Sequence, residues 1–127
     1  MTWGNKGIKF ERKLKKILKG RYNFLVIRAA GSMGCADIVA VPPVDRSPEP
    51  TYLIEVKSTR KEKYYTSSNK EQYKLMKKIG ATHECASIYA VRWIDSSPKS
   101  QWEIFLPSEE DIFRKGDGIP LDDYFDQ

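Results

Sequence analysis

The stretch of sequence that decides the fold is Thr51-Tyr52-Leu53-Ile54-Glu55-Val56-Lys57-Ser58. It is rich in β-branched and aromatic residues and follows Pro50, so it predicts a β-strand. Side chains alternate between the two faces of a strand, so Leu53, Glu55 and Lys57 point the same way. A charge on a mostly apolar strand must be solvated, paired or used, because an unpaired buried charge is too costly.

A second apolar run, Asp37-Ile38-Val39-Ala40-Val41, ends at Pro42-Pro43 and predicts the neighbouring strand. Carboxylates on adjacent strands can converge on one cation. Mg²⁺ prefers oxygen ligands and is usually held by one or two carboxylates plus the phosphate of the substrate. Asp37 and Glu55 fit that description, and we expect Mn²⁺ to substitute for Mg²⁺.

The bound cation would stabilise charge on a phosphate and lower the pKa of a coordinated water, while Lys57 would orient that water or neutralise developing charge. This pattern predicts metal-dependent cleavage of DNA. The alternative is a same-face salt bridge between Glu55 and Lys57 on an exposed strand, since an isolated Glu-x-Lys is common in charged proteins. The context of the motif decides between the two interpretations.

The first part of the chain supplies a third carboxylate. Phe10, Leu14, Ile17 and Leu18 follow the spacing of an amphipathic helix, and Gly20 is a candidate residue to end it. Glu11 lies beside this apolar stripe, and it is the only acid within a strongly basic segment of 28 residues.

With these residues, the chain resembles archaeal-type Holliday junction resolvases, within the PD-(D/E)xK nuclease superfamily. The resemblance runs from about Gly7 to about Trp93. The motifs that carry it, in order, are Gly7-Ile8-Lys9-Phe10-Glu11-Arg12-Lys13-Leu14, Val26-Ile27-Arg28-Ala29-Ala30-Gly31-Ser32, Asp37, and Ile54-Glu55-Val56-Lys57.

The resemblance implies an α/β fold with a restriction-endonuclease-like core, in which helices flank a central mixed β-sheet. It implies that Glu11, Asp37 and Glu55 surround the metal and that Lys57 assists the attacking water. Ser32 would be a further catalytic residue.

The resemblance also implies contacts to DNA and to a second copy of the chain. Arg12 and Arg28 match positions that help to bind the DNA backbone. Helix 69–79 would form a symmetric homodimer through Tyr73, Met76 and Ile79, although these side chains could instead only face the sheet.

Basic residues of the first segment and of the loop 58–68 are further candidates for phosphate contact. An ordinary flexible loop is the alternative for 58–68. Tyr64 and Tyr65 could stack on distorted DNA or could equally be dimer contacts. The full set of DNA-binding candidates is Lys6, Arg12, Arg28, Arg60, Lys61 and Lys63.

Composition limits the remaining possibilities. The 127 residues predict one nuclease domain, 1–127, and the net charge of +5 suits a nucleic-acid partner. No apolar run is long enough for a membrane span and no signal-peptide pattern is present, so we expect a cytoplasmic protein without a membrane partner. Cys35, Cys85 and His83 are too few for a disulfide scaffold or a zinc site.

Hydrophobic patterns and turn signals predict the order of elements along the chain. The predicted elements are a helix at 8–19, strands at 23–29, 37–42 and 51–57, a helix at 69–79, strands at 86–93 and 101–106, and a short helix after Pro107 with Ser108 as its cap.

The function predicted from these features is resolution of four-way DNA junctions by a Mg²⁺-dependent dimer, which nicks two opposed strands and leaves 5′-phosphate and 3′-hydroxyl ends. One alternative is another PD-(D/E)xK nuclease that acts on duplex ends, flaps or a specific sequence. A second alternative is a junction-binding module without turnover.

Overall fold

The structure is a computed structural model that describes residues 3–28, 36–65, 70–94, 101–107 and 112–126. Its helices are α1 (Trp3–Tyr22), α2 (Lys70–His83) and α3 (Leu121–Phe125), with a 3₁₀ turn at Val44–Arg46. Its strands are β1 (Leu25–Arg28), β2 (Ile38–Val41), β3 (Tyr52–Thr59), β4 (Lys63–Tyr65), β5 (Ala86–Trp93), β6 (Gln101–Phe105), β7 (Ile112–Arg114) and β8 (Ile119–Pro120).

Six strands form one mixed sheet in the order β1-β2-β3-β5-β6-β8. Only β3 and β5 pair in parallel, and the other neighbours are antiparallel. Parallel neighbours need a crossover connection, and the segment between β3 and β5 contains α2, which packs on β5. Helices therefore flank a mixed central sheet, which confirms the predicted fold class.

The helix α1 covers one face of the sheet with its apolar stripe. Leu14 and Leu18 are fully buried there, and every second residue of β3 meets them through Tyr52, Ile54 and Val56. Burying a leucine side chain contributes about 1.5–3 kcal/mol. The predicted alternation of β3 thus fixes α1 on one side and leaves Glu55 and Lys57 on the other.

A short antiparallel ribbon, formed by β4 and β7, lies against the opposite face of the sheet. Its Phe113 packs with Tyr89, Val91 and Trp93 of β5, and Tyr64 adds to this second core. The ribbon therefore approaches the face of β3 that carries the charged side chains.

The helix α3 is held on the core beneath α1, which we call the first core, by a group of polar residues that we call the α3 cluster. The Tyr22 hydroxyl donates to Asp122 Oδ1 at 2.6 Å, and the Tyr52 hydroxyl donates to Glu49 Oε2 at 2.5 Å. Arg46 Nη2 donates to the Phe125 carbonyl at 2.6 Å. Two ion pairs complete the cluster, Arg21 with Asp122 and Arg46 with Glu49.

Several predicted boundaries were wrong. α1 continues through Gly20 and ends before Asn23, whose φ of 59° takes the left-handed conformation that was expected of a glycine. α2 also extends past the predicted 79, to His83. β3 runs on to Thr59, so much of the predicted loop 58–68 is strand, since β4 occupies Lys63–Tyr65.

The predicted short helix after Pro107 begins in residues outside the described part of the chain, and Ile112–Arg114 is strand β7. The side chains of Tyr73 and Met76 also lie outside it, whereas Ile79 is half-buried. None of the helices in the described ranges combines the length and apolar character that a membrane span needs.

Candidate active site

Asp37 and Glu55 lie side by side because β2 and β3 are antiparallel neighbours, with Ile38 opposite Ile54. The Asp37 N–H donates to the Ile54 carbonyl at 2.9 Å. Asp37 Oδ2 in turn accepts the N–H of Val56 at 2.8 Å. The backbone of β3 therefore holds the Asp37 carboxyl beside the Glu55 side chain, as the sequence predicted.

Glu55 is the most constrained acid of this site, because it is only 3% exposed. The pKa of its carboxyl is raised from the ordinary 4.5 to about 9, and burial is the largest cause. The hydrogen bond with Asp37 contributes to the rise, and the Lys57 ammonium opposes it. The negative charges of Asp37 and Glu11 raise the same pKa further. Two neighbouring carboxyls that share a proton are suited to exchange that proton for a cation.

The Lys57 ammonium lies next to the Glu55 carboxyl, on the same face of β3. Its Nζ is 3.9 Å from Glu55 Oε2 and 5.9 Å from the centre of the Tyr64 ring. The ammonium is thus placed between a carboxylate and the face of an aromatic ring, and its catalytic role stays a prediction.

Glu11 reaches the site from α1, where it is half-buried. Its Oε1 accepts a hydrogen bond from Arg28 Nε at 3.2 Å, which makes an ion pair between α1 and β1. Arg28 was predicted as a DNA contact, and the structure places it at the edge of the carboxylate group with one acidic partner.

The donor set fits a hard divalent cation. In the described ranges, no three or more His, Cys, Asp or Glu side chains are arranged to hold a metal ion together. The pair of Asp37 and Glu55 is nonetheless sufficient for Mg²⁺, which keeps several waters and takes the remaining ligands from the substrate. Glu11 stays a predicted member of this set.

The other predicted site residues lie around the pair or outside the description. Ser32 is outside the described residues, and Lys6 lies in α1 with a side chain that is not described. Arg12 is exposed on α1, and the exposed cations that follow β3 on the side of the ribbon are Arg60, Lys61 and Lys63.

Sequence reasoning misplaced one side chain of the ribbon and missed another. Tyr64 was predicted to lie in a loop and instead belongs to β4, where its ring faces Lys57. Arg114 was not considered at all, yet it is exposed on β7 directly opposite Lys63. Strands of three residues that pair far apart in sequence leave no periodic pattern to detect.

Comparisons with known proteins show the family and the fold. A family model described as archaeal Holliday junction resolvase (Hjc) matches residues 3–125. No curated protein sequence matches the chain. The structure of Hjc from Archaeoglobus fulgidus, a Holliday junction resolvase of an archaeal hyperthermophile, superposes with a TM-score of 0.70, 22% identity and coverage of 96% of this chain and 97% of that one. Because the family model spans almost the whole sequence, the chain belongs to the archaeal Holliday junction resolvase family.

Proposed function

We propose that the protein resolves four-way DNA junctions as a Mg²⁺-dependent homodimer that nicks two opposed strands. Its class follows from the family: it is a junction-resolving nuclease, and nucleases of this family depend on a divalent metal. The identity of the metal, the paired nicks and the dimer are the parts that we add.

The observation that carries the choice of metal is the pairing of the half-buried Asp37 with the buried Glu55, whose pKa is raised. Two carboxyl groups that share a proton beside an otherwise apolar strand are stabilised most by a small cation that prefers oxygen ligands. When bound, Mg²⁺ would stabilise negative charge on the phosphate and lower the pKa of a water, and Mn²⁺ could take its place.

The side chains around the pair have separate proposed roles. Lys57, fixed next to Glu55, neutralises charge that develops on the phosphate or orients the attacking water. Glu11 is a proposed further ligand from α1, and it holds Arg28 in place for a backbone phosphate. Ser32 is assigned a catalytic role by the family motif alone.

The homodimer follows from the substrate. A four-way junction must lose two related phosphodiester bonds to leave two duplexes, and a two-fold axis places one active site at each bond. We propose α2 as the contact between the copies and an intracellular location, with the DNA. The products carry 5′-phosphate and 3′-hydroxyl ends.

The test is a gel assay that compares a labelled four-way junction with linear duplex of the same arms, at matched salt, with Mg²⁺, Mn²⁺ or EDTA. Paired symmetric nicks in the junction alone, and only with a metal, are expected. Equal cutting of the duplex would favour a general nuclease, and binding without cutting would favour a junction-binding module. Sedimentation that finds a monomer at active concentrations would contradict the dimer.

A further inference from the structure

The β4–β7 ribbon has two chemically different faces. Tyr64 lies opposite Phe113 and both turn towards the sheet, where they belong to the second core. One position along, Lys63 lies opposite Arg114, and both side chains are exposed. Side chains alternate along a strand, so these two cations stand together on the outer face of the ribbon.

Two cations directly opposite each other are unfavourable for the ribbon itself, because like charges on paired strands repel. In the described part of the chain, neither Lys63 nor Arg114 has a carboxylate within ion-pair distance. The next position shows the contrasting arrangement. There the Lys115 N–H donates to the Glu62 carbonyl at 2.8 Å, so residues of opposite charge are neighbours across the same ribbon.

The position of the cations relates them to the reaction. Tyr64, the residue next to Lys63, places its ring 5.9 Å from Lys57 Nζ. The ribbon therefore has the catalytic ammonium at its inner face and the two cations at its outer face. A DNA strand with a phosphate at Asp37 and Glu55 would therefore lie near this ribbon.

We propose that Lys63 and Arg114 form a phosphate-binding pair that holds the DNA backbone beside the active site. This assignment rests on the proposed function and adds Arg114 to the surface that contacts DNA. The guanidinium of Arg114 can bind phosphate oxygens with two parallel hydrogen bonds, and Lys63 adds a second positive charge. Such contacts position the strand without reading its sequence.

Charge reversal separates binding from folding. In Lys63→Glu or Arg114→Glu the repelling pair becomes an attractive Glu–Arg or Lys–Glu pair, so the thermal midpoint should stay equal or rise. Junction affinity, measured by titration in Ca²⁺ or EDTA, should fall about fivefold or more, and the slope of log K against log salt should become shallower by about 0.9 for each lost phosphate contact.

The matched control is Lys19→Glu, which makes the same charge change at an exposed position of α1 that is not among the DNA-binding candidates. The helix α1 covers one face of the sheet, whereas the ribbon packs on the opposite face. The control should bind the junction within about twofold of wild type, because an isolated distant charge contributes little at physiological salt.

Two results would overturn the phosphate-binding pair: ribbon variants that bind like the Lys19→Glu control, or ribbon variants whose thermal midpoint falls together with affinity. Cleavage of the bound junction at saturating enzyme is measured in parallel. A wild-type protein that binds but never cuts would refute the proposed nuclease activity and leave this comparison of affinities intact.

Discussion

Two clusters of ionisable residues contact the same strand, β3, and they shift the pKa values of their carboxyl groups in opposite directions. In the α3 cluster, burial raises the pKa of Glu49, but hydrogen bonds from Arg46 and Tyr52 outweigh it and leave the pKa below its ordinary value. The hydrogen bond from Tyr22 likewise lowers the pKa of Asp122. At the active site, the pKa of Glu55 is instead raised.

The α3 cluster stabilises the fold, whereas we propose that the pair of Asp37 and Glu55 takes part in the reaction. Each carboxylate of the α3 cluster is satisfied by a tyrosine and an arginine of the chain itself. Glu55 is buried beside Asp37, the charge of Glu11 also raises its pKa, and Lys57 is its one cationic neighbour among the ion pairs of the described residues. Such strained ionisation is typical of functional sites.

The largest expected effect is on catalysis. Glu55→Gln or Asp37→Asn should lower the single-turnover cleavage rate by about a thousandfold or more, because the pair loses the charge that holds a cation. Junction binding should persist, since neither change adds negative charge to the site. The rate is measured with saturating enzyme and Mg²⁺.

The control for this experiment is Glu49→Gln in the α3 cluster, which also removes one carboxylate charge next to β3. It should cut at the wild-type rate. Normal cutting by either active-site variant would refute the assignment of Asp37 and Glu55 as metal ligands, and slow cutting by Glu49→Gln would refute the separation of the two clusters.

The second effect is a pH dependence of stability in EDTA. Because the folded pKa of Glu55 is about 9 and its ordinary value 4.5, the folded protein binds a proton that the unfolded chain lacks between these values. The free energy of unfolding should therefore fall by about 1–3 kcal/mol as pH rises from about 5 to 9. Urea unfolding measures it, and Glu55→Gln should flatten the slope.

The α3 cluster should act in the other direction and in a lower window. Glu49 and Asp122 have lowered pKa values, so their stabilisation is present above the ordinary 4.5 and 3.8 and is lost as pH falls through their folded values. Below about pH 4 the protein should weaken, and Glu55→Gln should not alter that loss. A stability that rises from pH 5 to 9 would contradict the raised pKa of Glu55.

A third, smaller effect concerns the fold alone. Arg46→Ala removes the ion pair with Glu49 and the hydrogen bond to the Phe125 carbonyl. It should lower the free energy of unfolding by about 1–2 kcal/mol, since the group is partly solvated. Below the thermal midpoint, cleavage should be unchanged; a loss of cleavage in the folded variant would show that α3 affects the active site.

The smallest effect is on the position of Lys57. Tyr64→Leu keeps an apolar side chain against Phe113 but removes the ring face next to the ammonium. The cleavage rate at saturating enzyme should fall about two- to fivefold, in line with an exposed cation–π contact. Tyr64→Phe should cut at the wild-type rate; an equal loss in both variants would assign the effect to the hydroxyl.

The sequence predicted the features that depend on residues close together in the chain. Glu55 and Lys57 lie on one face of β3 because side chains alternate along a strand. Asp37 lies next to Glu55 because the apolar run that ends at Pro42 forms the neighbouring strand β2. The family and the α/β fold predicted from these motifs are confirmed. The roles of Glu11, Ser32 and the DNA-binding cations stay predictions.

The missed features depend on contacts between distant parts of the sequence. β4 and β7 are too short to show a pattern, and each is a strand only because Lys63–Tyr65 meets Ile112–Arg114. α3 has five residues and depends on Arg46 and on the first core for its position. Local propensity cannot predict such elements, since tertiary contacts stabilise them.

The aromatic contacts of Phe125 also constrain the order of events during synthesis. Its ring lies 5.6 Å from the rings of both Tyr22 and Phe24, deep in the core beneath α1. Domains fold as units as they leave the ribosome, so this core cannot close until residue 125 has emerged. We therefore expect that the basic helix α1 emerges early in synthesis, and that the protein can cleave DNA only after α3 has packed on the core.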